Sequence, residues 1–547
     1  MHGEPSVAEL ATPAVVLAPP REHAGWRATA AVAAPALALA VVLLAAWLIV
    51  DPHTPDLAAQ VYRAGLFRQL GFAVWDGNWY AGHHLPGYSL LFPALATWIG
   101  LRTVGVLCVL ASTTLFAALV ADEYGIAARW GAVAFALAAV GDVWLGRLAF
   151  ALGVAIAFGA ALALQRGHAV PAAVLAALAA AASPVAGLLL GLAALTVTLS
   201  ERSLRALLVL ALPAAVVVLP LAMLFPEGGY EPFPIISFAV TVGVVACFVV
   251  ALPRGERLLR LGAAVYLAAC VLSLLVHSPV GSNIERYGVL LGAPLLVCAL
   301  ARDGARTRRL PLAGGLALAA LGTWVLWGPV RETAAVAGTP GASASYYRPV
   351  ERFLAGRGPV RVEVPLTRSH WEAAMLAPHV ALARGWEKQL DSRYDGLLLR
   401  KHLSASSYRD WLDREAISYV ALPDLAPDPS SAVEDRLIRA GLPYLHEVLR
   451  TPHWRVFSVE GAEPLATGPG RLTELGHDTF ALDALRAGPF LVREHFSRYW
   501  TVLAGDACVG RGAEGFTEVR ARAPGRIVIG ARFSLGRALG SASECRR

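Results

Sequence analysis

The sequence predicts an α-helical polytopic membrane protein with a C-terminal domain of mixed α/β and antiparallel β structure. Of its 547 residues, 56% are apolar and only 16% are charged, a balance typical of chains that lie largely in lipid. Apolar runs of nearly bilayer-spanning length recur up to about residue 330, and beyond residue 340 the pattern becomes that of a soluble domain. The predicted parts are a cytoplasmic N-terminal tail (1–28), a membrane core (29–330), an extracytoplasmic α/β domain (340–467) and a small β module (468–547).

About eleven segments approach the ~20 mostly apolar residues that a spanning helix needs. Their boundaries are least sharp in the alanine-rich region 127–200. A further apolar segment, 87–100, is short and is followed by Arg102, so we predict an interfacial or re-entrant piece there. The predicted spans are 29–50, 102–121, 127–141, 147–165, 169–182, 184–200, 204–225, 233–252, 259–277, 284–301 and 309–329.

Arginines between the predicted spans indicate the orientation. If residues 1–28 are cytoplasmic, alternation puts three arginine-bearing loops (200–206, 253–260 and 302–309) on the same side, as the positive-inside rule requires. The opposite side receives loop 51–88 and the C-terminal domain, and we expect the protein in the plasma (inner) membrane of a bacterium. The formal charge of +7 follows from these topology signals and does not indicate a nucleic-acid partner.

The first span is too long for the core of a signal peptide, which predicts an uncleaved signal anchor. In the C-terminal domain, GPVRVEVPL (358–366) and ISYVALPD (417–424) are predicted strands, and SASSYRDWLDRE (404–415) is a predicted helix. Cys508 and Cys545 lie on the oxidising side, which predicts a disulfide, with two unpaired thiols as the alternative.

The segment 51–88, DPHTPDLAAQVYRAGLFRQLGFAVWDGNWYAGHHLPGY, concentrates acids and histidines directly after the first span. Ionisable groups at a membrane are costly unless they line an aqueous cavity or bind a ligand. Asp56 opens a stretch with apolar residues at helical spacing, so we predict a helix along the membrane surface. Asp56 either caps this helix or acts in chemistry.

This arrangement resembles the GT-C superfamily of polyprenyl-phosphate-sugar-dependent glycosyltransferases. The shared pattern is an acid after the first helix, an interfacial helix ending near a glycine (Leu70-Gly71), and an aromatic and proline stretch (Trp75 to Tyr88). The resemblance implies a GT-C-like core with Asp56 as general base in an inverting transfer. It also implies a polyprenyl-phosphate-linked sugar donor and an envelope glycan, lipid or protein as acceptor. The acids are spread as DPHTPD, whereas many members carry an adjacent pair, which leaves Asp51 open as the base.

Residues of two other predicted outward turns, 141–147 and 277–287, complete the predicted site together with further residues of segment 51–88. Asp142 is a candidate assisting acid, and Arg147 and Arg286 are candidate phosphate ligands, because the guanidinium fork suits phosphate. The alternative for each arginine is an anchor at the interface or a pair with its neighbouring acid. Further candidate substrate contacts are His84, Tyr88, Asn283 and Glu285, with a capped turn as the alternative for the last two.

Cofactor predictions rest on the histidines. We predict that no cofactor is required, with a divalent metal as the alternative, for which His53 and His83 are weak candidate ligands. Adjacent histidines on an extended segment point to opposite sides, so at most one of His83 and His84 faces a site. No Walker-type or other glycine-rich phosphate loop occurs.

Several alternatives stay open. The turn that contains Glu227, Tyr230 and Glu231 is either a lid or an acceptor contact, and Trp386 either stacks on sugar or, as the favoured interpretation, packs in a core. A transporter or flippase of lipid-linked glycans would show paired repeats and mid-membrane charges, which this sequence lacks. A non-catalytic membrane scaffold with an outward binding domain would tolerate alanine throughout 51–88.

Overall fold

The computed structural model describes residues 25–307, 312–540 and 545. Within them, eight helical stretches are long and apolar enough to cross a membrane, which makes the chain a multi-pass membrane protein. One stretch, Leu101–Trp144, is divided by a 3-10 turn at Gly125–Ala127. Two further apolar helices, Ala169–Ala182 and Ile235–Ala251, are shorter. The number of eleven spans and their orientation stay predictions, and residues 1–24 and Arg308 and Arg309 lie outside the described residues.

Most helices of the membrane part follow one another with short turns, whereas longer segments separate α2 from α3 and α9 from α10. Small side chains on α1, among them Ala33, Ala36 and Ala40, are buried where α1 packs against α4 and α5, as is usual for helices that approach closely in lipid. The helices are α1 Trp26–Val50, α2 Pro55–Leu70, α3 Phe92–Ile99, α4 Leu101–Tyr124, α5 Ala128–Trp144, α6 Leu148–Gln165, α7 Ala169–Ala182, α8 Pro184–Glu201, α9 Leu212–Leu224, α10 Ile235–Ala251, α11 Arg257–Leu275, α12 Glu285–Thr307 and α13 Leu312–Val336.

Segment 51–88 carries more structure than a polar loop. Helix α2 confirms the predicted helix, whose place along the membrane surface stays a prediction, and α3 lies in the segment predicted to be an interfacial or re-entrant piece. Strands β1 (Trp75–Asp76) and β2 (His83–His84) form a short antiparallel hairpin. Trp75, Asp76, Trp79 and His83 are buried, because the C-terminal domain packs over this hairpin. This half of the segment is therefore covered by protein.

The α/β domain has a mixed five-stranded sheet in the order β4-β3-β5-β7-β6. Strands β3 and β5 and helix α17 confirm the predicted strands and helix, and Ser404 caps α17 in a reciprocal capping box with Ser407. Its elements are α14 Ala344–Leu354, β3 Arg361–Glu363, α15 Glu372–Met375, β4 Ala381–Leu382, α16 Lys388–Tyr394, α17 Ala405–Arg414, β5 Ile417–Pro423, α18 Ala432–Arg439, β6 Leu445–Arg450 and β7 Trp454–Val459.

The β module has two antiparallel four-stranded sheets, β12-β15-β10-β9 and β13-β14-β11-β8, whose apolar faces share one core. A disulfide joins Cys508 of β13 to Cys545 and confirms the predicted pairing. The elements are β8 Ala466–Thr467, β9 Gly470–Leu475, β10 Thr479–Ala484, β11 Gly488–His495, β12 Trp500–Ala504, β13 Ala507–Arg511, β14 Phe516–Ala521, β15 Gly525–Ala531 and α19 Leu535–Ala538.

Polar contacts join the membrane part, the α/β domain and the β module at one end of the helix bundle. Asp76 accepts from Tyr62 (2.7 Å) and contacts His477 of the β module (2.9 Å). Burial opposes the charge of Asp76, but His477 lowers the pKa of this carboxyl. Arg361 of the sheet pairs with Glu494 of the module at 2.6 Å, and both side chains are buried.

Candidate functional site

The turn between α5 and α6 packs directly against the start of α2. Gly146 has φ +84°, and a β-carbon there would lie 2.8 Å from Leu57 Cα, so only glycine fits without displacement. Thr54, the residue before α2, donates from Oγ1 to the Trp144 carbonyl at 3.1 Å. These contacts bring the first turn of α2 beside the residues that open α6.

Asp56, in the first turn of α2, meets Arg147 at this contact. Arg147 Nε donates to Asp56 Oδ2 at 3.2 Å, and its NH1 lies 3.6 Å from Asp142 Oδ1. Burial alone would lower the pKa of Arg147, but the carboxylates of Asp56 and Asp142 raise it. The pair stays accessible, with 34% of the Asp56 side chain and 27% of the Arg147 side chain exposed. Three predicted site residues thus converge.

Arg286, at the start of α12, joins this group electrostatically. It lies within range of the charges of Arg147, Asp56 and Asp142 and of the Tyr88 hydroxyl. Its guanidinium carbon is 5.1 Å from the Phe150 ring centre, and its Nε is buried without a hydrogen-bond partner among the described residues. A buried, unsatisfied cationic donor is costly, and an anionic ligand would satisfy it. Asp56, Asp142, Arg147 and Arg286 are called the bundle-end cluster below.

An apolar cavity of about 350 Å³ lies within the bundle. Its wall includes Tyr287 and Gly288, the two residues after Arg286 on α12, together with Trp324 and Phe116. Helix α12 thus contributes a guanidinium to the bundle-end cluster and two residues to the cavity wall. This combination suits a ligand with a charged head and a hydrocarbon tail.

Two residues that were not predicted as catalytic lie close to the cluster. The charges of Lys388, Arg286 and Asp56 all act on Glu231, which also accepts from Ser282 at 3.2 Å. Burial is the largest cause that raises the pKa of Glu231. Lys388, one of only two lysines in the chain, comes from the α/β domain. In the sequence, only the rarity of lysine and the acidic character of the turn pointed to these two residues. Neither feature predicts that they lie near the bundle-end cluster.

The structure places Asp51 and His53 elsewhere. Asp51 pairs with Arg102 at the start of α4 and lies 3.8 Å from His53 Nε2. The His53 ring packs 5.0 Å from the Trp371 ring. The contacts of the described residues do not join Asp51 to Arg147 or Arg286, so Asp51 is not grouped with Asp56.

The adjacent histidines have different partners, although both line one cleft. His83 is buried, stacks on Trp79 and lies 3.9 Å from Glu387, and burial lowers its pKa. His84 Nδ1 lies 2.9 Å from Glu227, and its Nε2 lies 3.1 Å from Ser497. Within the described ranges, no three His, Cys, Asp or Glu side chains gather in a way that could hold a metal ion.

The remaining predicted contacts are held by protein partners. Glu285 accepts from Thr241 Oγ1 at 2.9 Å, and Asn283 lies in the 3-10 turn before α12. The Tyr88 hydroxyl accepts from Gln60, and its ring lies 3.7 Å below the Arg63 guanidinium. Trp386 stacks on His370 at 3.5 Å and is half-buried, which agrees with the favoured core interpretation.

No protein-family model matches the sequence, and no curated protein matches it. Among solved structures, arabinofuranosyltransferase AftD from Mycobacteria is similar at 17% identity with a TM-score of 0.46, over 86% of this chain and 42% of that one. ArnT from Cupriavidus metallidurans bound to undecaprenyl phosphate is similar at 13% identity with a TM-score of 0.40, over 78% and 97%. The chain thus spans less than half of the AftD chain. Likeness at this level does not establish a family, so the site itself has to support any function.

Proposed function

We propose that this protein is a GT-C-type glycosyltransferase that moves a sugar from a polyprenyl-phosphate donor to a cell-envelope acceptor at the outer face of the plasma membrane. The observation that carries the proposal is the bundle-end cluster, in which a partly exposed carboxylate pairs with one guanidinium group and lies within electrostatic range of a second. The helix that carries the second guanidinium also lines an apolar cavity of the bundle. The arginine pattern of the cytoplasmic loops supports the outward orientation of this end.

The donor has two chemical parts that the site can take separately. The polyprenyl tail would extend into the apolar cavity lined by Tyr287 and Trp324, where burial of hydrocarbon is favourable. The phosphate would lie between Arg147 and Arg286, where it satisfies the buried Nε of Arg286. The sugar attached to that phosphate then faces Asp56.

Asp56 is the proposed general base of an inverting, single-displacement transfer. Its carboxylate takes the proton of the acceptor hydroxyl as that oxygen bonds to the anomeric carbon. The bond from the anomeric carbon to the phosphate oxygen breaks, and its electron pair remains on the phosphate. Arg147 and Arg286 stabilise the charge that develops there. Because two arginines supply this charge, the proposal requires no divalent metal.

Asp142 is the proposed assisting acid. It shares Arg147 with Asp56, at 3.6 Å from the second guanidinium nitrogen, and so holds the arginine in place when phosphate arrives. Asp51, which pairs with Arg102, takes no part in the proposed step.

The test uses the full-length protein in nanodiscs with a panel of radiolabelled polyprenyl-phosphate monosaccharides and isolated envelope acceptor. Asp56→Asn should lower transfer by about 10²- to 10⁴-fold, the usual contribution of a general base. Binding of undecaprenyl phosphate should be retained. Asp51→Asn is the matched control, an equally small change in an acid of the same segment, and should leave transfer intact. Full activity of Asp56→Asn, or loss in both variants with retained folding, would contradict the assignment.

A further inference from the structure

A large cleft lies where the end of the hairpin β1–β2 meets the turn after α9 and the C-terminal domain, and its lining includes no residue of the bundle-end cluster. Its volume is about 990 Å³, at the upper end of ~300–1,000 Å³ for ligand pockets. Its walls come from the hairpin, the turn after α9, the ends of α16 and α17, and the β module. We propose that this cleft binds an acidic carbohydrate chain and, resting on the proposed function, that this chain is the acceptor.

The charge of the walls favours an anion. Five arginines and three glutamates line the cleft. Arg393 and Arg511 contact aromatic rings, Tyr394 at 4.8 Å and Phe496 at 5.1 Å, so their planar forks are held in position by stacking. A fork presented in this way suits a carboxylate or a phosphate. The arginines are Arg393, Arg414, Arg498, Arg511 and Arg537.

Uncharged polar groups in the walls favour a ligand rich in hydroxyls. His495 is 8% exposed, and its Nδ1 has no hydrogen-bond partner among the described residues. Burial lowers the pKa of His495 to about 3, so the ring is neutral near pH 7 and can donate or accept. His83 also lines the cleft, is 1% exposed, and its ring nitrogens have no hydrogen-bond partner among the described residues. The walls of the cleft thus contain neutral imidazole rings as well as arginines.

The neutral ring belongs to an ordered aromatic stack. His495 lies between Tyr394, at 4.0 Å and 19°, and Phe516, at 5.4 Å and 8°. This stack fixes the direction of the free His495 nitrogen, which lowers the entropic cost of binding. Fixed hydrogen-bonding groups beside flat apolar faces and guanidinium forks match a sugar ring that carries acidic substituents.

The cleft and the surroundings of Asp56 share the turn after α9. The turn after α9 contributes Glu227 to the cleft and Glu231 to the surroundings of Asp56, and four residues span at most about 14 Å. His83, which lines the cleft, also lies 3.9 Å from Glu387, whose partner Arg63 packs on Tyr88. In the proposal, the end of a chain held in the cleft extends toward Asp56.

Binding of defined oligosaccharides to the full-length protein in nanodiscs tests the proposal. The probes are a galacturonic acid hexamer and its fully methyl-esterified form, which have the same sugar chain with and without the carboxylate charges. The acid should bind at least tenfold more tightly, with an affinity that falls as salt rises. Arg393→Gln and Arg511→Gln should each weaken binding of the acid about tenfold, as loss of a charged hydrogen bond does. Arg520→Gln, an exposed arginine of β14 that pairs with Glu518 outside the cleft lining, is the matched control.

The outcomes separate this proposal from the catalytic one. Equal affinity for acid and ester, or unchanged binding in the Arg393→Gln Arg511→Gln double variant, overturns it. Equal affinity for a hexameric oligoglutamate or oligonucleotide overturns the carbohydrate class. Asp56→Asn should bind the hexamer like the wild type while transfer is lost. If Asp56→Asn keeps full transfer and the hexamer still binds, the catalytic assignment fails and the cleft proposal stands.

Discussion

Two clusters in this molecule consist of the same residue types, arginine with aspartate or glutamate, but differ in their exposure to solvent. In the bundle-end cluster, Asp56 and Arg147 are about one-third exposed and share the space with Asp142 and Arg286. In the α/β domain, one guanidinium, that of Arg384, lies among four carboxylates that are all buried, and this set is called the sheet cluster. Its acids are Glu363, Asp391, Asp395 and Glu434.

The comparison indicates that two properties distinguish a ligand site from a structural network: the ratio of arginines to acids and the exposure of these groups to solvent. Arg384 lies 3.1 Å from Asp391, 3.4 Å from Glu434 and 4.0 Å from Glu363, and both its own side chain and those carboxylates are at most 4% exposed. Burial alone would lower the pKa of Arg384, but the carboxylates raise it well above its ordinary value. Excess acid in a closed space is neutralised by protons, whereas two arginines at an opening attract an anion.

The largest expected effect is on the sheet cluster. Arg384→Gln leaves several buried acids without their cation, and loss of one partner from a buried pair costs about 3–5 kcal/mol. We expect a large fall in thermal stability and in folded yield, measured by fluorescence-detected unfolding of the purified protein. Arg409→Gln removes a partly exposed i,i+4 pair with Asp413 and should change stability by less than about 1 kcal/mol. Equal stability in both variants would show that the closed cluster contributes nothing through Arg384.

Arg286→Gln should give the reverse result, with stability retained and transfer lost. Removal of one donor to a developing oxyanion costs about 10²- to 10³-fold in rate. Affinity for undecaprenyl phosphate should also fall, and Arg286→Lys should restore part of both because it keeps the charge but not the fork. Arg102→Gln, at the same end of the bundle and paired with Asp51, should change neither. A stability loss in Arg286→Gln as large as that of Arg384→Gln would make the two clusters alike.

Gly146→Ala tests whether the contact between the α5–α6 turn and α2 sets the geometry of the bundle-end cluster. The added carbon meets Leu57 and should displace Asp56 from Arg147, and a misplacement of about 1 Å can cost about 10²-fold in rate. Gly167→Ala is the matched control, because Gly167 also has φ +84° but nothing lies within 4 Å of the new carbon. Both variants carry the same backbone strain, so only Gly146→Ala should lower transfer. Equal transfer in the two variants would show that the contact of Gly146 with Leu57 does not set the position of Asp56.

The sequence predicted one of the two clusters and not the other, for a physical reason. Asp56, Asp142, Arg147 and Arg286 follow or precede apolar runs, and alternation of spans is enough to put their segments at one end. The contact of Asp56 with Arg147 confirms this convergence. The sheet cluster joins strands and helices that are up to 71 residues apart in the chain, from Glu363 to Glu434, and no local pattern marks such a contact.

The contacts of Asp51 and the burial of the hairpin are two further features that the sequence does not predict. Asp51 and Asp56 are the same residue type and lie close together in the sequence. Asp51, however, has a left-handed backbone conformation (φ 45°) and pairs with Arg102. The burial of Asp76 and His83 depends on the β module closing over them, with His477 401 residues away in sequence. Periodicity predicts elements, and it does not predict which distant domain covers them.

The smallest expected effect is a pH dependence confined to the sheet cluster. Burial, followed by the charge of Glu434, raises the pKa of Glu363 well above its ordinary value, and burial raises those of Glu434 and Asp395. An acid whose pKa is raised by folding binds its proton more tightly in the folded state than in the unfolded state. Its contribution to the stability of the folded protein is therefore fully present below the unfolded pKa of ~4.3 and is lost as pH rises through the folded pKa. Opening of β3 and β5, measured by hydrogen exchange corrected for intrinsic rates, should therefore be more frequent at pH 8 than at pH 5.5. Glu363→Gln keeps the shape and removes the charge, so it should flatten this dependence, whereas Glu447→Gln on the exposed strand β6 should not. Protection that instead rises with pH would mean that the buried carboxylates are charged in the folded protein, and the distinction between a closed protonated cluster and an open anion site would fail.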